Sequence, residues 1–285
     1  MLPPFELSQP QTLPEALRAL AEDGGQPLAG GTNLFPDLRS GREKGDQFVS
    51  LALVEGLRYI KHTEQRITLG SGTTMSDIVH DPKMETAAPA LAAAAKIFAG
   101  TMVRTAATIG GNVCCGSPSA DTVPPLLTLA ADVTLSSASG ERTVPLDEFY
   151  TDYKKTVMKP DELLTSVSWA PPAPGSAHLF YKLARRKGDA ITVTGVSVMI
   201  AADAGKCTTA RVALGSVAPT VFRAHEAEDL LVGQALTPDL IEQAAKAAAH
   251  QCSPIDDIRA TADYRLQTAH ALTRRLITQA WKQVA

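Results

Sequence analysis

The chain has 285 residues, enough for two or three domains with well-buried cores, and its 45% hydrophobic content is that of a globular protein. Its 27 basic and 30 acidic side chains leave a net charge of −3, which argues against nucleic acid or an anionic membrane as the main partner. The Ala-rich stretch 87–99 is too short to cross a bilayer and carries Lys96, and Met1-Leu2-Pro3-Pro4-Phe5-Glu6 lacks the basic region and apolar core of a signal peptide, so a cytoplasmic protein with no membrane span is expected.

The first segment reads strand, helix, strand, loop. Thr12-Leu13-Pro14-Glu15 is a capping box that starts a helix carrying Ala16, Leu17 and Leu20 on one face. Asp23-Gly24-Gly25 ends it, Gln26-Pro27-Leu28 leads out, and Asn33 to Leu38 predicts a short helix. Phe48-Val49-Ser50-Leu51 reads as the strand that closes this unit. From Leu57, Tyr59–His62 and Arg66–Gly70 pattern as a hairpin, followed by a helix near Met75–Val79 and a longer one from Pro89 to about Gly100. An apolar helix runs through Leu126, Leu127 and Leu129, and strands Val133–Leu135 and Thr143–Leu146 flank a Ser-Gly turn. Pro171-Pro172-Ala173-Pro174-Gly175 is a linker. Beyond it, Phe180–Leu183, Thr192–Val198 and Ala210–Leu214 predict an antiparallel sheet, and helices from about Asp239 to His250 and Thr261 to Lys282 complete an α+β unit.

Two loops share a signature, Ala29-Gly30-Gly31-Thr32-Asn33 and Thr108-Ile109-Gly110-Gly111-Asn112. Adjacent glycines lack Cβ atoms, so the backbone can turn with φ > 0 and approach a ligand closely. Successive N–H groups in such a turn form a concave nest for anions. Two nests in one chain suggest a ligand with two anionic groups, such as a dinucleotide pyrophosphate. Gly70-Ser71-Gly72 lacks the third glycine of a dinucleotide fingerprint and adds little. Cys114 and Cys115 are adjacent while Cys207 and Cys252 stand alone, a spacing of neither zinc nor iron–sulfur type. The histidines (His62, His80, His178, His225, His250, His270) are scattered, so no metal site is expected.

These motifs occur in order with Ser117-Pro118-Ser119-Ala120-Asp121, Phe180-Tyr181-Lys182-Leu183-Ala184-Arg185-Arg186 and Asp257-Ile258-Arg259-Ala260-Thr261-Ala262-Asp263-Tyr264-Arg265. Together they resemble, over essentially the whole chain, the FAD-binding medium subunit of molybdenum hydroxylases, the carbon monoxide dehydrogenase and xanthine dehydrogenase group. The resemblance implies an α+β fold: a two-part FAD-binding α/β region of the PCMH/vanillyl-alcohol-oxidase type (residues 1–55 and 56–175), then a C-terminal antiparallel sheet with helices (residues 176–285). It implies that Pro27, Leu28, Ala29, Gly30, Gly31, Thr32, Asn33 and Leu34, with Thr108, Ile109, Gly110, Gly111 and Asn112, wrap the FAD pyrophosphate with backbone donors. Ser117 and Asp121 follow, Asp121 accepting hydrogen bonds from a ribose hydroxyl or the adenine end. Phe98 and Leu164 match apolar contacts to the cofactor. Lys182 matches a lysine near the isoalloxazine ring, where a cation stabilises the anionic reduced flavin. Read alone, Phe98 and Leu164 pattern as core, Asp121 as a helix cap, and Lys182 as part of a solvated cluster with Arg185, Arg186 and Lys187.

The chain departs from the family at Ala107, often glycine, and at Thr105 after Arg104, often asparagine. A methyl group at residue 107 demands negative φ. No cysteine-rich insertion for an extra cluster is present, so FAD is the one cofactor expected. No general acid, base or nucleophile stands out, and no catalytic residue is assigned. The implied activity is that of an oxidoreductase subunit passing electrons from the [2Fe–2S] clusters of a small subunit through FAD to an external acceptor, NAD or a quinone. Substrate would be oxidised in a molybdenum-cofactor large subunit, the assembly being a dimer of heterotrimers. Such partners imply exposed apolar patches on this chain. The alternative is a stand-alone FAD-dependent oxidoreductase of the same architecture, and a third reading is a nucleotide-binding scaffold without redox chemistry.

Overall fold

In the computed structural model, which describes residues 2–285, the Thr12 hydroxyl accepts the Glu15 N–H and the Glu15 carboxylate accepts the Thr12 N–H, the reciprocal cap that the sequence predicts. The first unit runs β1 (Glu6–Ser8), α1 (Leu13–Asp23), β2 (Gln26–Leu28), α2 (Leu34–Arg39) and β3 (Gln47–Ser50). Gly24 at φ 64° ends α1 in the left-handed region, which glycine enters without a Cβ penalty. The strands form a parallel sheet in the order β1-β3-β2, so β3 is central. Ala16, Leu17 and Leu20 pack on Val49, Val54, Leu57 and Leu163, while Leu28, Leu38 and Phe48 form a separate small core under the loop after β2. That loop is thus held at both ends by buried side chains.

The second unit contains β4 (Ile60–His62), β5 (Ile67–Gly70), α3 (Met75–His80), α4 (Met84–Ala87), α5 (Pro89–Lys96), α6 (Thr101–Ala106), α7 (Ile109–Cys114) and α8 (Val123–Thr128). Then come β6 (Asp132–Ser137), β7 (Gly140–Pro145), β8 (Tyr150–Asp152), β9 (Lys155–Thr156) and β10 (Leu163–Trp169). Its five-stranded antiparallel sheet has the order β4-β5-β10-β6-β7. The central strand β10 is buried at every position, including Thr165, Ser166 and Ser168. The helix expected from Pro89 to about Gly100 ends at Lys96 as α5, and α6 starts only at Thr101. The chain breaks at Ala99, which has φ 38°, and the Arg104 guanidinium donates to the carbonyls of Phe98 and Ala99. Those bonds satisfy acceptors that a continuous helix would have used itself.

The last unit has β11 (Ala177–Ala184), β12 (Thr192–Asp203), β13 (Lys206–Gly215) and β14 (Phe222–Arg223) in one antiparallel sheet, with α9 (His225–Leu231), α10 (Pro238–His250) and α11 (Ala262–Val284). Val196, Val198, Ile200, Val212 and Leu214 face the C-terminal helices, whereas Met199, Ala213 and Val221 join the core of the second unit. The sheet is covered on both faces, which explains why β12 lacks apolar–polar alternation. The seam between these two units carries a buried polar triad, in which Thr128 Oγ1 lies 2.9 Å from His178 Nε2 and 2.8 Å from Ser197 Oγ.

Candidate cofactor site

The loop after β2 carries the first Gly-Gly pair. Gly31 has φ 65°, and a Cβ there would also lie 2.6 Å from the Phe35 ring, so glycine is demanded twice. Gly30 needs its missing side chain for another reason: a Cβ would stand 1.8 Å from the Ala106 carbonyl oxygen. Among the described residues, no acceptor takes the backbone N–H of Gly30, Gly31, Thr32 or Asn33. Pro27 is exposed, Leu28 is buried, and Leu34 opens α2 half-buried. Asn33 does not cap α2; its amide donates instead to Asp37 Oδ2 at 3.0 Å.

The second pair behaves differently and corrects the expectation of a second nest. Thr108 is the N-cap of α7, its hydroxyl accepting the Gly111 N–H, and Gly110 and Gly111 lie inside the helix rather than at positive φ. The Ile109 and Gly110 N–H groups donate to the Thr73 and Ser71 carbonyls, and Asn112 N–H donates to the Thr108 carbonyl. These donors are spent on the protein. Gly110 permits contact, because a Cβ would lie 2.6 Å from the Ser71 Cβ and 2.8 Å from its carbonyl oxygen. Gly111 is exposed and turns towards the first loop, a Cβ there lying 4.0 Å from the Ala29 methyl. The two motifs therefore abut, one open for a ligand and one docking it. Asn112 accepts from the Thr122 hydroxyl at 2.6 Å, and Ser117 Oγ accepts the Ser119 N–H. Ala107 takes φ −64°, as its methyl group requires.

Asp121 and Lys182 form an ion pair at 2.6 Å with both side chains 7% exposed, and the Thr192 hydroxyl donates to the other Asp121 oxygen at 2.5 Å. Burial pushes the Asp121 carboxyl above its ordinary range, and Lys182 partly offsets this. One reading is corrected here: Lys182 is not part of a solvated cluster, since its side chain is buried against Asp121. Phe98 is half-buried against the main core, with its carbonyl held by Arg104. Leu164 lies in β10 opposite Leu135, 2% exposed and enclosed by apolar neighbours. A cavity of about 340 Å³ lined by Arg66, Asp132, Pro171, Met199 and Arg211 includes none of these residues.

Comparison with known proteins gives the arrangement its context. A family model described as the FAD binding domain in molybdopterin dehydrogenase matches residues 3–169, and one for the CO dehydrogenase flavoprotein C-terminal domain matches residues 179–280. The chain belongs to this family of FAD-binding subunits. It is 31% identical to the carbon monoxide dehydrogenase medium chain of Hydrogenophaga pseudoflava over 100% of both chains. It is 32% identical to the putative xanthine dehydrogenase FAD-binding subunit of Escherichia coli, covering 94% of this chain and 93% of that one. The solved structure of the Hydrogenophaga pseudoflava carbon monoxide dehydrogenase lacking the Mo-pyranopterin moiety matches with a TM-score of 0.96 at 31% identity over 100% of each chain.

The family's cofactor fits the residues present. The Cβ-free turn at Gly31 and the four N–H groups without acceptors offer what a diphosphate needs, donors already oriented and close backbone approach. The comparisons thus show an FAD-binding oxidoreductase subunit of the molybdenum hydroxylase kind, and the loop geometry fits the cofactor's diphosphate. Sequence reasoning missed the residues that support the loops from a distance: Ser71 and Thr73 under α7, Thr192 beside Asp121, and Asp37 with Lys154 beside Asn33. Ser71, Thr73, Thr192 and Lys154 carry no local signal, because each acts across a gap in the chain, whereas Asp37 reaches Asn33 from one turn away. Of the adjacent thiols, Cys114 is pushed up to about 12 by burial and its sulfur lies 3.7 Å from that of Met158, whereas Cys115, also raised by burial, lies near enough to Lys154 and Asp37 to feel both charges.

Proposed function

We propose that this chain is the electron-transfer subunit of a multi-subunit molybdenum hydroxylase, passing electrons from the [2Fe–2S] clusters of a small subunit through FAD to an external acceptor, NAD or a quinone. A molybdenum-cofactor large subunit oxidises the substrate, and the whole works in the cytoplasm as a dimer of heterotrimers. The three pieces 1–55, 56–175 and 176–285 divide the labour: the first two hold FAD between them and the third closes over it. The observation that carries this reading is the open row of main-chain donors at Gly30–Asn33, pressed on α7, in a chain that matches a dehydrogenase medium chain end to end.

FAD, when bound, supplies chemistry in both one- and two-electron steps. This chain's own residues bind and position it. Gly30–Asn33 supply donors in place of water. The glycines of α7 bring Ser71 and the first loop together. Lys182 is paired with Asp121, whose other oxygen accepts from Thr192, so the pair brings a dipole and no net charge to the site. Met102 and Ile258 are each 88% exposed, and Ile255 is 72% exposed, which supports apolar docking to partner chains.

Purification of the native assembly through a tag on this chain tests the reading. Molybdenum, iron and FAD are expected together with two further polypeptides, and the flavin should bleach on substrate addition only in the intact complex. A lone, FAD-loaded chain that turned over a small substrate would instead establish a stand-alone flavoenzyme.

A further inference from the structure

The β8–β9 turn places Lys154 beside the first Gly-Gly loop, far from anything in the sequence that predicts a ligand contact. Its Nζ lies 3.3 Å from Asp37 Oδ2, the same oxygen that accepts the Asn33 amide at 3.0 Å. Its backbone N–H donates to the Gly116 carbonyl, just after α7. Lys154 therefore stitches the two glycine motifs together, one through its side chain and one through its main chain.

Three features set it apart from an ordinary surface lysine. Asp37 already holds Arg42 at 2.8 Å, so two cations and an amide converge on one carboxylate and leave a positive excess beside the loop. The Lys154 backbone sits at φ 54°, a conformation that L side chains rarely adopt and that marks functional positions when neighbours enforce it. Gly116 permits the close approach, since a Cβ there would lie 2.8 Å from the Lys154 Cα. Partial burial pulls the Lys154 ammonium down, but the Asp37 carboxylate outweighs this and holds it above the usual lysine range, so the charge is permanent at neutral pH. The side chain keeps 38% of its surface, enough to reach a ligand without leaving a hole in the core.

We propose that Lys154 is a cofactor-binding residue whose ammonium balances the charge of the FAD diphosphate held by Gly30–Asn33. The inference rests on the FAD reading of this site. Asp37 acts as its positioning residue, keeping the cation near the loop.

Titration of the full 285-residue chain with FAD, followed by flavin fluorescence at several salt concentrations, tests it. Lys154→Met should weaken binding roughly 10- to 100-fold and flatten its salt dependence. Lys154→Gly should do the same while suiting the positive φ, so its thermal transition is expected to equal or exceed the parent's. Lys154→Arg should retain most of the affinity. If the parent binds FAD and the Met and Gly variants bind it equally well, the role of Lys154 falls while the FAD site stands. If the parent takes up no FAD, both fall.

Discussion

Replacing Gly30 by alanine probes the contact on which the site is built. The new Cβ would sit 1.8 Å from the Ala106 carbonyl oxygen, 2.5 Å from its carbon and 3.2 Å from the Ala107 nitrogen. All three are backbone atoms, so no rotamer change relieves the clash, and the two segments must part by about 1.6 Å to restore van der Waals distance. Overpacking of this kind costs about 3 kcal/mol, at the upper end of its usual range because the obstruction is rigid. For a chain of this size that is a drop of roughly 6–12 °C in Tm. The donors of Gly30–Asn33 move with the loop. Loss of even two charge-assisted bonds should weaken FAD binding by at least about 100-fold. Gly111→Ala is the internal control for stability: its Cβ meets the Thr108 hydroxyl at 3.0 Å and reaches the Ala29 methyl only at 4.0 Å, and alanine favours the helix by about 1 kcal/mol. Differential scanning calorimetry and flavin fluorescence read both quantities. A Gly30→Ala protein with unchanged Tm and unchanged FAD affinity would refute the close-packing argument.

Other expectations follow from the buried charges. Asp121→Asn leaves the Lys182 ammonium buried without its counter-ion and should cost about 3 kcal/mol in denaturant unfolding, part of which the double variant with Lys182→Met recovers; additive losses would show that the two do not interact. On the proposal that Lys182 lies near the flavin, the same Asp121→Asn change should raise the flavin potential of the loaded protein by leaving that positive charge uncompensated. Burial holds His178 at about pKa 3 in the folded protein, against about 6.5 when unfolded. The folded imidazole stays neutral where the unfolded chain takes a proton, so its stabilising contribution is complete above about pH 6.5 and is lost as pH falls towards 3, by up to about 1.4 kcal/mol per unit. His178→Gln should flatten the acid limb of the stability curve between pH 4 and 6, and an unaltered slope would count against this account.

Local order was readable from the residues themselves. The Thr12–Glu15 cap, the stop at Gly24, the left-handed turn at Gly31 and both C-terminal helices follow from interactions within a few residues of chain. Strand β10 was not readable, because a strand buried on both faces loses its alternation and its Thr and Ser residues look like loop. The second Gly-Gly pair misled for a related reason. Its composition matches the first, yet its glycines lie in the first turn of a helix, Gly110 packed on Ser71, rather than in a left-handed turn.

By itself the sequence determined the family, the cofactor and the position of the open loop, since each depends on residue types adjacent in the chain. Only the tertiary structure decided which donors remain free, that Asp121 and Lys182 neutralise each other, and that Lys154 stands beside Asp37. The physical reason is separation: those pairs lie 61 and 117 residues apart, and charges that far along the chain meet or miss according to how the sheets stack. Burial then sets the strength of each encounter, because removing water is what turns a contact between two charges into a constraint on both.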